Sequence, residues 1–89
     1  HAPKNLSMSI AIEAAELMEH FQWISAEESR LRLKDPAGRA AIAAELADVL
    51  MYCFSLASIA GYDVTTIVRD KLAANARKYP AERYKGRYS

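Results

Sequence analysis

A single cysteine, Cys53, stands in 89 residues. No disulfide within the chain can brace it, and a reducing cytoplasmic setting is the expectation. Period-two alternation of apolar and polar residues is missing throughout, as are internal repeats and low-complexity runs, which argues against any sheet or solenoid. Neither His1 nor His20 completes a Glu-x-x-His motif; a di-iron carboxylate bundle needs two of them. No signal peptide is evident. The longest uncharged run, Val49 to Tyr62, falls short of the ~20 residues that span a bilayer, so no membrane partner is expected.

What is present points to a small helical domain that does not work alone. A chain of this length buries only about 60–65% of its unfolded surface, yet 52% of its residues are hydrophobic. The apolar surplus predicts a homo-oligomer. The net charge is +1 but unevenly spread. Arg69, Lys71, Arg77, Lys78, Arg83, Lys85 and Arg87 outweigh Asp70 and Glu82, leaving +5 on residues 69–89 and −4 on the remainder. An acidic body with a basic tail suits an anionic ligand bridged to carboxylates by a metal, and equally suits a solvated tail. No nucleic-acid reading motif accompanies the basic residues, so nucleic acid is not an expected partner.

Charge is scarcest between Arg39 and Asp63, where only Glu45 and Asp48 occur. A helix apolar nearly all round is one that gets buried. At 100° per residue Glu45, Asp48, Tyr52 and Ser55 share one stripe, while Leu46, Val49, Leu50, Cys53, Phe54 and Leu56 cover the rest. Two carboxylates on such a helix need a cationic partner, because an unpaired buried charge costs several kcal/mol or is neutralised.

Along the chain, residues 1–6 read as extended, with Pro3 biasing Ala2 away from helix. A first helix is predicted from Ser7 to Phe21. Ile10, Ala14, Leu17 and Phe21 form one apolar stripe and Met8, Ile12 and Ala15 a second, with Ser9, Glu13, Glu16 and His20 in the strip between. Ser25 and Glu28 make a capping box for a short helix to Leu33. Asp35 as N-cap and Pro36 at the first helical position open a helix running to Ala60, roughly 37 Å at 1.5 Å per residue. Gly61 stops it. Asp63 caps a last helix, Val64 to Lys78, with Val64, Ile67, Val68 and Leu72 facing inward; Pro80 ends it. Met8, Met18 and Met51 read as core filler. The expected architecture is an all-α antiparallel bundle: one helical domain over residues 1–80 and a basic tail over 81–89. The chain opens at His1 rather than Met, so an upstream segment is expected to be missing.

Two motifs carry chemistry: Glu13-Ala-Ala-Glu16 and Glu45-Leu-Ala-Asp48. Residues three apart share a helix face, with Cβ atoms about 5–6 Å apart. Antiparallel packing of the two helices brings four carboxylates together. Like charges at about 5 Å repel by roughly 3 kcal/mol at an effective dielectric of about 20, so an ionised cluster needs cations. An all-oxygen donor set without His or Cys selects a hard ion, Mg²⁺ or Mn²⁺, and Mg²⁺ is commonly shared with phosphate oxygens. His20 reads as a surface residue or a neighbour of the ligands. Lys71, Asn75 and Tyr79 lie four apart on one stripe, with Lys78 beside it, a set able to meet phosphate and sugar. Trp23 and Tyr52 offer flat surfaces for a base. Taken singly, the aromatics would be core or interface residues and the lysines solvated charges.

The stretch His1-Ala-Pro-Lys-Asn-Leu6, then Glu13-Ala-Ala-Glu16-Leu17 and Phe21-Gln22-Trp23, resembles the MazG-like all-α nucleoside triphosphate pyrophosphatases, particularly the dCTP pyrophosphatase branch. Glu45-Leu-Ala-Asp48-Val-Leu-Met-Tyr52 and Lys71-x-x-x-Asn75-x-x-Lys78-Tyr79-Pro80 match the later motifs of that family. The resemblance implies hydrolysis of the α–β phosphoanhydride of a nucleotide to monophosphate and pyrophosphate. It implies Mg²⁺ on Glu13, Glu16, Glu45 and Asp48, and Glu13 or Glu16 as the base that takes a proton from the attacking water. Tyr52, Lys71, Asn75, Lys78 and Tyr79 would contact phosphates and sugar, and Trp23 would help form the base pocket. It also implies a dimer of dimers with sites at subunit interfaces. The competing readings are a related dUTP or phosphoribosyl-ATP hydrolase on the same scaffold, and a non-catalytic helical module that binds nucleotide or only dimerises.

Overall fold

The computed structural model describes residues 2–78. Four helices follow one another: α1 (Pro3–Glu19), α2 (Ala26–Arg32), α3 (Pro36–Ala60) and α4 (Val64–Lys78). No strand occurs among the described residues. The all-α expectation holds, and the ends of three helices follow from local chemistry. Ser25 Oγ accepts from the Glu28 amide at 3.1 Å while Glu28 Oε1 accepts from the Ser25 amide at 3.5 Å, a reciprocal cap on α2. Asp35 Oδ2 accepts from the Gly38 amide at 3.0 Å, and Pro36 supplies the first residue of α3. Gly61 ends α3 in the left-handed region at φ 74, where a side chain would be strained. Asp63 Oδ1 accepts from the Thr65 amide at 3.1 Å and opens α4. Pro80 lies outside the described residues.

The start of α1 differs from expectation. Helix begins at Pro3, not Ser7. Ala2 is extended, as the residue before a proline should be, but Pro3 is the first helical residue rather than part of an extended lead-in. Its fixed φ suits a first turn, and its missing amide is one that no helix start can satisfy internally.

Packing is dominated by one pair. α1 and α3 form the only extensive helix–helix interface among the described residues, and α4 makes only slight contact with the other helices. The pair is antiparallel: Glu13 meets both Glu45 and Asp48, whereas His20, further along α1, meets Glu45. Leu6, Ile42 and Ala57 are the buried apolar residues. Several expected core positions are therefore uncovered within one chain. On α4, Ile67, Val68 and Leu72 are exposed because, among the described residues, no other helix packs extensively along them. On α3, Leu46, Leu50, Met51 and Phe54 are exposed because α1 covers only one side of a helix that is apolar on several. Met8 and Met18 are exposed too, on the far side of α1, and Cys53 is half-buried. By length and composition α3 can cross a membrane, which the longest uncharged run alone had not suggested; it nonetheless carries Glu45 and Asp48 midway.

Gly38 sits where α2 meets the first turn of α3. A Cβ there would lie 2.7 Å from the Arg32 carbonyl oxygen and 3.0 Å from the Arg32 Cγ. Gly38→Ala raises helix propensity by about 1 kcal/mol, but overpacking against backbone costs about 1–3 kcal/mol. Thermal denaturation should therefore show a net loss of stability, with Tm lowered. A raised Tm would mean that α2 is not held against α3 as described.

Candidate metal centre

Glu13 and Glu16 stand one turn apart on α1, and Glu45 and Asp48 one turn apart on α3. Because the two helices run side by side, the pairs converge. One carboxylate oxygen from each of Glu13, Glu45 and Asp48 lies within 4.8 Å of the others, and all three residues are half-buried. Glu16 is exposed but within hydrogen-bonding reach of Glu13, and it lines a cleft of about 550 Å³ together with Glu19, His20, Arg32 and Glu45.

The electrostatics record the crowding. Desolvation comes first, then hydrogen bonding with Glu16 and the charges of Glu16, Asp48 and Glu45, and together they hold the Glu13 carboxyl above its ordinary 4.5. Glu13 Oε2 and Glu45 Oε2 are buried and have no hydrogen-bond partner. Buried oxygens seldom go unpartnered. Two such atoms on two carboxylates of the same cluster form a donor set suited to a hard divalent cation, whose ligands are carboxylate oxygens and water. The set contains no sulfur or nitrogen ligand, which suits Mg²⁺ or Mn²⁺ over softer metals.

The remaining candidates fall into two groups. Tyr52 is half-buried on α3, one turn beyond Asp48, and Trp23 projects from the α1–α2 connection with 87% of its surface exposed. Lys71, Asn75 and Lys78 lie on α4, with Lys71 and Lys78 exposed and Asn75 half-buried. Helix packing within one chain does not gather these three over the carboxylates, since α4 is not laid along the α1–α3 pair. Tyr79 lies outside the described residues.

Two further residues enter the site: His20, already read as a surface residue or a neighbour of the ligands, and Arg32, which had not been marked. Arg32 reaches back across twelve positions to donate from Nη1 to the His20 carbonyl oxygen at 2.6 Å. No local spacing announces such a contact. The His20 ring places Nε2 3.9 Å from Glu45 Oε1; its position on the Glu13–Glu16 strip was the available signal.

The MazG-like family matches residues 8–88. Among curated proteins, dCTP pyrophosphatase 1 of Homo sapiens is 40% identical over 81 residues, covering 91% of this chain and 48% of that protein. Its Bos taurus counterpart is 37% identical over 86 residues, covering 97% and 51%. The chain thus spans about half the length of the curated relatives it matches. A crystal structure of a pyrophosphatase from Archaeoglobus fulgidus superposes with a TM-score of 0.81 at 43% identity, over 90% of this chain and 73% of that one.

A raised Glu13 pKa has a defined sign for stability. The folded state holds the proton more tightly than the unfolded chain, so the contribution is complete below the unfolded value and is lost as pH rises through the folded one. In chelator, wild-type protein should lose thermal stability relative to Glu13→Gln between mild acid and neutral pH, and added Mg²⁺ should reverse that loss at neutral pH. Parallel Tm profiles for the two proteins, indifferent to Mg²⁺, would refute the crowded-carboxylate account.

Proposed function

This chain belongs to the MazG-like family, and from that premise we propose that it is a divalent-cation-dependent nucleoside triphosphate pyrophosphohydrolase. In this reading it cleaves the α–β phosphoanhydride of a deoxynucleotide such as dCTP to give the monophosphate and pyrophosphate. The observation that carries the proposal is the convergence of Glu13, Glu45 and Asp48 with two buried, unpartnered oxygens among them. Likeness to proteins named dCTP pyrophosphatase 1, and to an archaeal pyrophosphatase of the same fold, supports the substrate class.

Glu13, Glu16, Glu45 and Asp48 would hold Mg²⁺, or Mn²⁺ in its place. When bound, the ion supplies neutralisation of the phosphate oxygens and of the departing pyrophosphate. The chain's own part is positional and acid–base. α1 and α3 fix the carboxylates before substrate arrives, so little reorganisation remains for the reaction itself. One glutamate, Glu16 or Glu13, is the proposed acceptor for the proton of the attacking water. Tyr52, Lys71, Asn75, Lys78 and Tyr79 are assigned to phosphate and sugar, and Trp23 to the base.

A homo-oligomer belongs to the same proposal. Leu46, Leu50 and Phe54 on α3 and Ile67, Val68 and Leu72 on α4 are exposed in the single chain, and grouped apolar exposure of this kind marks interaction faces. Copies of this chain packed on those faces would cover them and could bring α4 of one subunit toward the acidic pairs of another. A reduced Cys53 and a nucleotide substrate fit a cytoplasmic setting.

Two experiments test the proposal. Pyrophosphate release across a panel of dNTPs with Mg²⁺ should show turnover, falling at least about 100-fold in Glu45→Ala and Asp48→Ala. Thermal shift by nucleotide without turnover would instead identify a binding module. Analytical ultracentrifugation should find a dimer or tetramer, and Leu50→Glu with Phe54→Glu should shift it toward monomer; a monomeric wild type at micromolar concentration would refute the assembly.

A further inference from the structure

We propose that His20 is the positioning residue for Glu45, and that Arg32 acts through it by fixing its backbone. The inference rests on the cation-binding reading above and concerns residues outside the acidic set. His20 is the C-cap of α1, and its amide closes onto the carbonyl oxygen of Leu17. The last carbonyls of a helix have no partner within it. Arg32 Nη1 supplies one, donating to the His20 carbonyl oxygen at 2.6 Å from the end of α2. The C-terminal turn of α1 is thereby pinned, and the imidazole with it.

The ring faces α3. His20 Nε2 lies 3.9 Å from Glu45 Oε1, and both side chains are only 26% exposed. The other oxygen of the same carboxylate, Oε2, is buried without a partner. Glu45 thus has one oxygen toward the His20 ring on α1 and a second that is buried without a partner, on a residue that joins the cluster with Glu13 and Asp48. The 3.9 Å separation is longer than a hydrogen bond, so positioning requires Nε2 to close to within hydrogen-bond range of Oε1. A carboxylate held at one oxygen presents the other in a fixed direction, and such supporting contacts typically change cation affinity by about 10–100-fold. A neutral imidazole suits the task better than lysine or arginine, because it donates without placing a permanent positive charge beside the cation. Arg32 keeps its charge near the helix carbonyl, where the helix dipole favours it.

The alternative is that His20 and Arg32 merely tie three helices together. The two accounts differ in what they move. In the full chain, Mn²⁺ binding followed by electron paramagnetic resonance should weaken about 10-fold or more in His20→Leu. His20→Gln, which carries an N–H donor near the position of Nε2, should recover most of that affinity. Arg32→Met should weaken binding less, and the double variant should lose no more than His20→Leu alone. Circular dichroism and Tm in chelator report folding separately; if His20→Leu does not fold, His20→Gln and Arg32→Met carry the test. Wild-type affinity in His20→Leu, or a His20→Gln as weak as His20→Leu, overturns the positioning role while leaving the metal centre standing. Failure of the wild-type chain to bind Mn²⁺ overturns the metal centre and this inference together.

Discussion

Like charges meet across the α1–α3 contact, and most of what is distinctive in the molecule answers to that. The contact is held by little apolar burial: Leu6, Ile42 and Ala57 are its enclosed residues. At its centre Glu13, Glu45 and Asp48 bring acceptor oxygens within 4.8 Å of one another. A helix pair built this way has two ways to relax without separating. It can hold a proton, which is the direction in which Glu13 is displaced, or it can bind a cation. Acid favours the first, and a divalent cation near neutrality would favour the second.

The short α2 segment gains significance from the same constraint. A repulsive contact needs its backbone held by something other than itself. The reciprocal Ser25–Glu28 cap starts α2, Gly38 lets its end lie close against α3, and Arg32 returns to the end of α1. These three features link the two carboxylate-bearing helices through a third body. The chemistry of the site and the closure of the α1–α2–α3 turn are therefore parts of one mechanical unit.

Helix ends were legible wherever one or two neighbouring residues decide them. Ser25 with Glu28, Asp35 with Pro36, and Gly61 each act over four positions or fewer. The acidic face was legible for the same reason, since a spacing of three fixes a shared direction on any helix. The start of α1 was not, because Pro3 reads equally as the end of an extended stretch or as a first helical residue, and the structure takes the second. Burial was misjudged at Met8, Met18, Met51, Phe54, Ile67, Val68 and Leu72. Their apolar character shows that they face something, but a single sequence does not say whether that surface belongs to the same copy. Arg32 was invisible because its partner is a backbone carbonyl twelve residues away, which leaves no pattern of residue types to find.

Trp23 is the chain's one tryptophan, and it stands in the connection directly after the C-cap of α1 with most of its indole open to water. The protein thereby carries its own fluorophore at a single address, beside the turn that Arg32 and His20 hold. Any molecule that shelters the indole alters the emission of the whole sample, with no background from a second indole. Occupancy of that end of the bundle is thus open to direct optical titration without label or probe.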